Sequence, residues 1–111
     1  MQTDKKIELR PTSQLKPYQK NSRTHSDAQI KQVANSIKEW GWTVPILIDE
    51  DNTVLAGHAR LYAAEYLEIE NVPCIIASGW SDDQKKAYVI ADNKLAENSD
   101  WDFGLYYTEL K

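Results

Sequence analysis

The run Ala56-Gly57-His58-Ala59-Arg60 combines residue types that suit anion binding. An apolar stretch, Val54-Leu55-Ala56, stops at a glycine, and a helical pattern begins at once with an arginine in its first turn. The first N–H groups of a helix lack intrahelical partners and lie at the positive end of its dipole, which suits phosphate oxygens. Glycine lets a ligand approach the backbone closely. An arginine adds a planar, two-pronged contact. The same residues also fit a plain strand-to-helix turn whose Arg60 pairs with a surface carboxylate. The G-x-x-R spacing alone leaves both readings open.

Asp92-Asn93-Lys94 is the second such feature. A carboxylate beside an amide can hold Mg²⁺ or its waters, and a lysine can reach a phosphate. Helix-end capping on a solvated face accounts for the same residues. Third is Asn21-Ser22-Arg23-Thr24-His25, a set of donors just ahead of a capped helix, or simply a solvated loop. The two histidines, His25 and His58, have no clustered carboxylate or second cysteine, so a protein-only metal site is not expected. Cys74 lies inside an apolar run and is expected to be an inert buried thiol. Trp40 and Trp42 flank Gly41 and are expected to cap the core or a subunit contact rather than stack bases.

Around these residues the patterning predicts an alternating arrangement of elements. Ile7-Glu8-Leu9 alternates as a short edge strand stopped by Pro11, and Thr12 to Thr24 is expected to be loop. Ser26 and Gln29 form a capping box opening a helix whose apolar stripe is Ile30, Val33, Ala34, Ile37 and Trp40, with Gly41 as its stop. Val44 to Ile48 and Thr53 to Ala56 make a hairpin around Asp49-Glu50-Asp51-Asn52. His58 to Leu67 is the next helix, and Val72 to Ala77 the next strand. Ser81 and Gln84 form a second capping box, opening a helix through Ala87, Ile90 and Ala91. A last helix is expected from about Asp102 to Leu110. The sum is an α+β fold, a small mixed sheet with packed helices.

The 111 residues predict a single domain spanning 1–111. An apolar share of 41% and a charged share of 27% are those of an ordinary globular chain. Thirteen basic against seventeen acidic residues leave a net charge of −4, which disfavours a free-standing duplex-DNA binder. One cysteine excludes an internal disulfide framework. No apolar run approaches bilayer length and the first residues lack a signal-peptide core, so a cytoplasmic location with no membrane partner is expected.

Taken in order, Leu15-Lys16-Pro17, Asn21-Ser22-Arg23, Ile37-Lys38-Glu39-Trp40-Gly41, Val44 to Ile48, Val54 to Arg60 and Val72 to Ile76 resemble the ParB amino-terminal, or ParB-like nuclease, domain of the ParB/sulfiredoxin-like fold. The resemblance runs from about Ile7 to at least Asn98, nearly the whole chain. In ParB proteins the segment matching Gly57–Arg60 reads G-E-R-R and contacts the phosphates of a bound cytidine triphosphate, while the segment matching Asp92-Asn93 reads E-N beside Mg²⁺. It therefore implies Arg23, Gly57, His58, Arg60 and Lys94 on the phosphate side, and Asp92 and Asn93 on the metal side of a Mg²⁺–nucleoside triphosphate. His58 and Ala59 depart from G-E-R-R, and Ala96 stands where that pattern has a basic residue, so a cytidine preference does not carry over. The sulfiredoxin branch has G-C-H-R here. With His58 in place of that cysteine, peroxiredoxin repair is not expected.

The G-H-A-R form, with Val89 to Glu97 and Trp101-Asp102, looks closest to ParB-like domains found ahead of phage or prophage DNA methyltransferases. The methyltransferase motifs themselves are absent from these residues. The implied function is a regulatory nucleotide-binding module of DNA modification or partition systems, in weak or indirect contact with DNA. Two alternatives stand beside it. One is a phosphoryl-transfer enzyme or nuclease on the same site, such as a triphosphate hydrolase or a free-serine-kinase-like enzyme, with Asp92 or Glu97 as base. The other is a homodimerisation or docking module for a methyltransferase, with Trp101, Tyr106 and Tyr107 suited to a partner surface.

Overall fold

In a computed structural model, residues 2–18 and 26–92 are described. The candidate residues Arg23, Asn93, Lys94 and Glu97, and the expected helix near 102–110, lie outside them. Strands β1 (Gln2–Pro11), β2 (Lys16–Pro17), β3 (Ile46–Asp49), β4 (Thr53–Ala56) and β5 (Asn71–Ser78) form one sheet in the order β1-β5-β3-β4-β2. Pairing is antiparallel for β1–β5 and β3–β4, and parallel for β3–β5 and β2–β4. Helices α1 (Asp27–Trp40) and α2 (His58–Tyr66) precede a third, α3, over residues 82–92. The fold is α+β, as the patterning predicts.

Strand alternation divides the core in two. Ile46 and Ile48 of β3, Val54 of β4, and Val72, Cys74 and Ile76 of β5 form one cluster with Leu15 and with Leu61 and Ala64 of α2. Leu55 of β4 and Ala77 of β5 join Trp80 and Val89 of α3 in the other, with Tyr18 and Leu47 against it. Because successive strand residues point to opposite faces, α2 covers one face of the sheet and α3 the other. Helix α1 packs mainly on α2. A helix seated on another helix buries a narrow stripe: Ala34 is buried, Ile30, Val33 and Ile37 are half-buried, and Trp40 is exposed.

Two expectations change. The edge strand runs the full Gln2–Pro11, and its apolar residues Ile7 and Leu9 face outward. The register pairs Glu8 with Cys74 and Arg10 with Val72, which places the charged pair over the first cluster. There Arg10 bonds Glu8 (3.3 Å) and Asn52 (2.8 Å), and these contacts hold the polar side inward. The expected loop after Pro11 holds a 3-10 turn, Thr12–Gln14, and the short strand β2. Leu15 anchors it in the core, and Thr12 Oγ1 donates to the Ile69 carbonyl at 2.7 Å.

Cys74 is fully buried, and its thiol donates to the Val72 carbonyl. Burial pushes it from an ordinary 9.0 up to about 11, with Glu8 adding to the rise and Arg10 opposing it. The folded thiol therefore keeps its proton where the unfolded thiol ionises. Stability is intact below pH 9.0 and is expected to fall by about 2–3 kcal/mol as pH rises through 11. Disulfide-exchange labelling at pH 8 should report only unfolded chains; rapid labelling of the folded protein would contradict this placement.

Candidate functional site

Gly57 caps α2 with φ 98° and ψ 29°, in the left-handed region. A Cβ there would sit 3.4 Å from Ile46 Cγ1 and 3.5 Å from Ile46 Cα, while positive φ strains any other residue. The turn therefore lies directly on β3, and α2 begins immediately after it. The Gly57 carbonyl accepts the Leu61 N–H at 3.0 Å, and buried Leu61 fixes the first turn of the helix.

Two side chains of this turn diverge. His58 is only 4% exposed, and its Nε2 accepts the Tyr18 backbone N–H at 3.2 Å. Arg60 is half-buried and shares an electrostatic field with Asp92, the half-buried last described residue of α3. Burial lowers the Arg60 guanidinium from its usual range, with the Asp92 charge opposing. Burial likewise raises Asp92, with Arg60 opposing. Each group is thus desolvated beyond what its partner returns, a pattern that clusters at functional sites.

What places Asp92 there lies at the other end of α3. Ser81 and Gln84 make the full capping box: Gln84 N–H donates to Ser81 Oγ (3.1 Å), and Ser81 N–H to Gln84 Oε1 (2.8 Å). One turn in, Lys85 Nζ donates to Asp49 Oδ2 at 3.1 Å and lies 3.9 Å from Glu50. Asp49 Oδ1 accepts the N–H groups of Asp51 (2.8 Å) and Thr53 (2.9 Å), closing the β3–β4 turn. Glu50 accepts the Gly79 N–H at 2.9 Å, which tethers the entry to α3 and holds its carboxyl below the usual range. Burial opposes the Lys85 charge, but the Asp49 hydrogen bond and the charges of Asp49, Glu50 and Asp82 raise its pKa overall. Lys85, Val89 and Asp92 follow at i, i+4 and i+7, one face of a helix. That face is clamped at Lys85 and packed at Val89, and Asp92 follows about 10 Å along the axis from Lys85. Trp80 meets Tyr88 edge-on at 5.4 Å, bracing the same helix.

Of the sequence candidates, Gly57, His58, Arg60 and Asp92 are thus gathered where β4, α2 and α3 meet. Sequence reasoning missed the roles of Asp49 and Glu50, whose only local signal was a run of turn residues, and of Lys85, an ordinary lysine in the first turns of a helix. Among the described residues no group of three or more His, Cys, Asp or Glu side chains could hold a metal. One carboxylate suits Mg²⁺ carried in by phosphates, which commonly keeps waters and takes one or two carboxylates.

A mixed sheet covered on both faces, with a glycine turn opening α2 against β3, defines a ParB/sulfiredoxin-like domain. Residues 1–94 match the family model for the ParB N-terminal domain, and the chain belongs to that family. The ParB-like nuclease domain-containing protein YnaK of Escherichia coli (strain K12) is 51% identical over 81 residues, 73% of this chain and 93% of that protein. Among solved structures, Caulobacter crescentus ParB complexed with CTP-γ-S superimposes with a TM-score of 0.71 at 23% identity. That match covers 79% of this chain and spans about half, 52%, of the ParB chain. Arabidopsis thaliana sulfiredoxin matches with a TM-score of 0.60 at 25% identity, over 67% of this chain and 86% of its own. Among the described residues no helix is long and apolar enough to cross a membrane.

Proposed function

We propose that the domain binds a nucleoside triphosphate with Mg²⁺ at the Gly57–Arg60 turn and acts as a regulatory module in the cytoplasm. The observation that carries this reading is the meeting of a left-handed glycine turn, a desolvated arginine and a desolvated carboxylate at one helix start. Backbone N–H groups of α2 would take phosphate oxygens, and Arg60 would add a two-pronged charged contact. Asp92 would face the metal carried by those phosphates, and Mg²⁺ would supply charge neutralisation there. Arg23, Asn93 and Lys94 complete the proposed ligand set by family resemblance. His58 contributes its backbone N–H, since its ring is turned inward. The CTP-γ-S complex of a ParB with this fold supports the choice of ligand class.

Service to DNA modification or partition machinery, with a methyltransferase or a second copy as partner, belongs to the same reading. The nuclease in the name of the E. coli relative supports a second one, metal-dependent cleavage of DNA with Asp92 or Glu97 as base. The net charge of −4 weighs against a long phosphate track for it.

Thermal melts with ATP, CTP, GTP and UTP, each with and without Mg²⁺, test the proposal. At a hundredfold excess over its dissociation constant one triphosphate should stabilise the fold by about 2.7 kcal/mol, a rise of roughly 10 °C that needs Mg²⁺. Unchanged melting with all four at millimolar ligand would overturn it.

A further inference from the structure

His58 stands beside the glycine of the anion turn, yet its side chain is directed into the protein. Its Nε2 accepts the N–H of Tyr18, forty residues earlier in the chain, so the ring proton sits on Nδ1. Tyr18 follows directly on β2, the edge strand paired with β4. Tyr18 also packs against Leu55, Ala77, Trp80 and Val89, the cluster on which α3 lies. The imidazole therefore links two parts of the site directly, the β4–α2 turn it belongs to and the exit of β2, and Tyr18 in turn packs against the platform beneath the helix that carries Asp92.

We propose that His58 is a positioning residue, which sets the Gly57–Arg60 turn against the end of β2 and the α3 platform through the Nε2–Tyr18 hydrogen bond. This rests on the nucleotide reading of the site. An acceptor at the Nε2 position is what the role requires, and neither charge nor aromaticity substitutes for it. Misplacement of a binding turn by an ångström is enough to cost an order of magnitude or more.

The test compares His58→Gln with His58→Asn. The glutamine amide oxygen reaches roughly the place of Nε2; the asparagine amide falls short, near Nδ1. Two readouts are taken on the full chain: hydrogen exchange of the Tyr18 amide without ligand, and the dissociation constant for the triphosphate that stabilises the wild type with Mg²⁺. The Tyr18 amide should be protected in wild type and H58Q and exchange fast in H58N. Binding should stay within about threefold in H58Q and weaken by about tenfold or more in H58N. Equal binding by H58N and wild type overturns the positioning role. So does weak binding by H58Q with Tyr18 still protected, because His58 would then contact the ligand itself. A wild type that binds no triphosphate overturns the functional reading, whatever the exchange data show.

Discussion

Replacing Arg60 with alanine is expected to abolish triphosphate-dependent stabilisation while leaving the unliganded fold nearly unchanged. A charged hydrogen bond contributes about 1.5–3 kcal/mol, and a bidentate pair of them makes the loss of affinity ~100-fold or more. The cost to the fold is small because burial already lowers Arg60, so its removal relieves desolvation as well as taking a partner from Asp92. Arg60→Lys keeps the charge but loses the fork, and should recover only part of the binding. Titration calorimetry checks this directly. An Arg60→Ala protein that binds as tightly as wild type would move the ligand away from this turn.

The largest effect on stability is expected at the opposite end of α3. Asp49→Ala removes an acceptor of two turn N–H groups and takes from Lys85, whose side chain is 14% exposed, its hydrogen-bonded partner, leaving the Glu50 carboxylate at 3.9 Å. Breaking a buried pair from one side costs about 3–5 kcal/mol, equivalent here to a drop of roughly 12 °C or more. Asp49→Asn keeps an acceptor for the turn and should cost clearly less. Lys85→Met leaves Asp49 still bonded to both turn N–H groups and should fall between the two. The raised Lys85 pKa places the ion pair's contribution fully below the ordinary lysine value, so it survives neutral pH and is lost only in strong alkali. Denaturant melts would contradict the clamp if Asp49→Ala cost under about 1 kcal/mol.

The N-cap of α1, where Ser26 accepts from the Gln29 N–H, and the full capping box of Ser81 and Gln84 were legible because helix starts are written in residues three apart. The β3–β4 hairpin was equally plain, since turn residues sit between two apolar runs. Long-range features left no such trace. Asp49 and Lys85 lie 36 residues apart, and nothing local distinguishes Asp49 from the turn acids beside it. The alternation of Ile7, Glu8 and Leu9 announces a strand but not its register. Only pairing with β5 sends Glu8 and Arg10 inward.

The site divides along the same line. Gly57 before a helical pattern identifies the turn from sequence, while its seat against Ile46 is a tertiary contact the local sequence does not write. That the charges of Arg60 and Asp92 act on one another depends on where α3 lies, and so on the clamp. The inward direction of His58 depends on Tyr18, which is its neighbour only across the β4–β2 pairing.

The most direct measurement is an amide NMR titration of the wild-type chain with a Mg²⁺–triphosphate. The expected result is saturable movement of the Gly57, His58, Ala59 and Arg60 amide signals, with Asp92 moving only when Mg²⁺ is present. Signals at the turn that stay in place through millimolar ligand, or movement confined to residues far from it, would contradict nucleotide binding at this site.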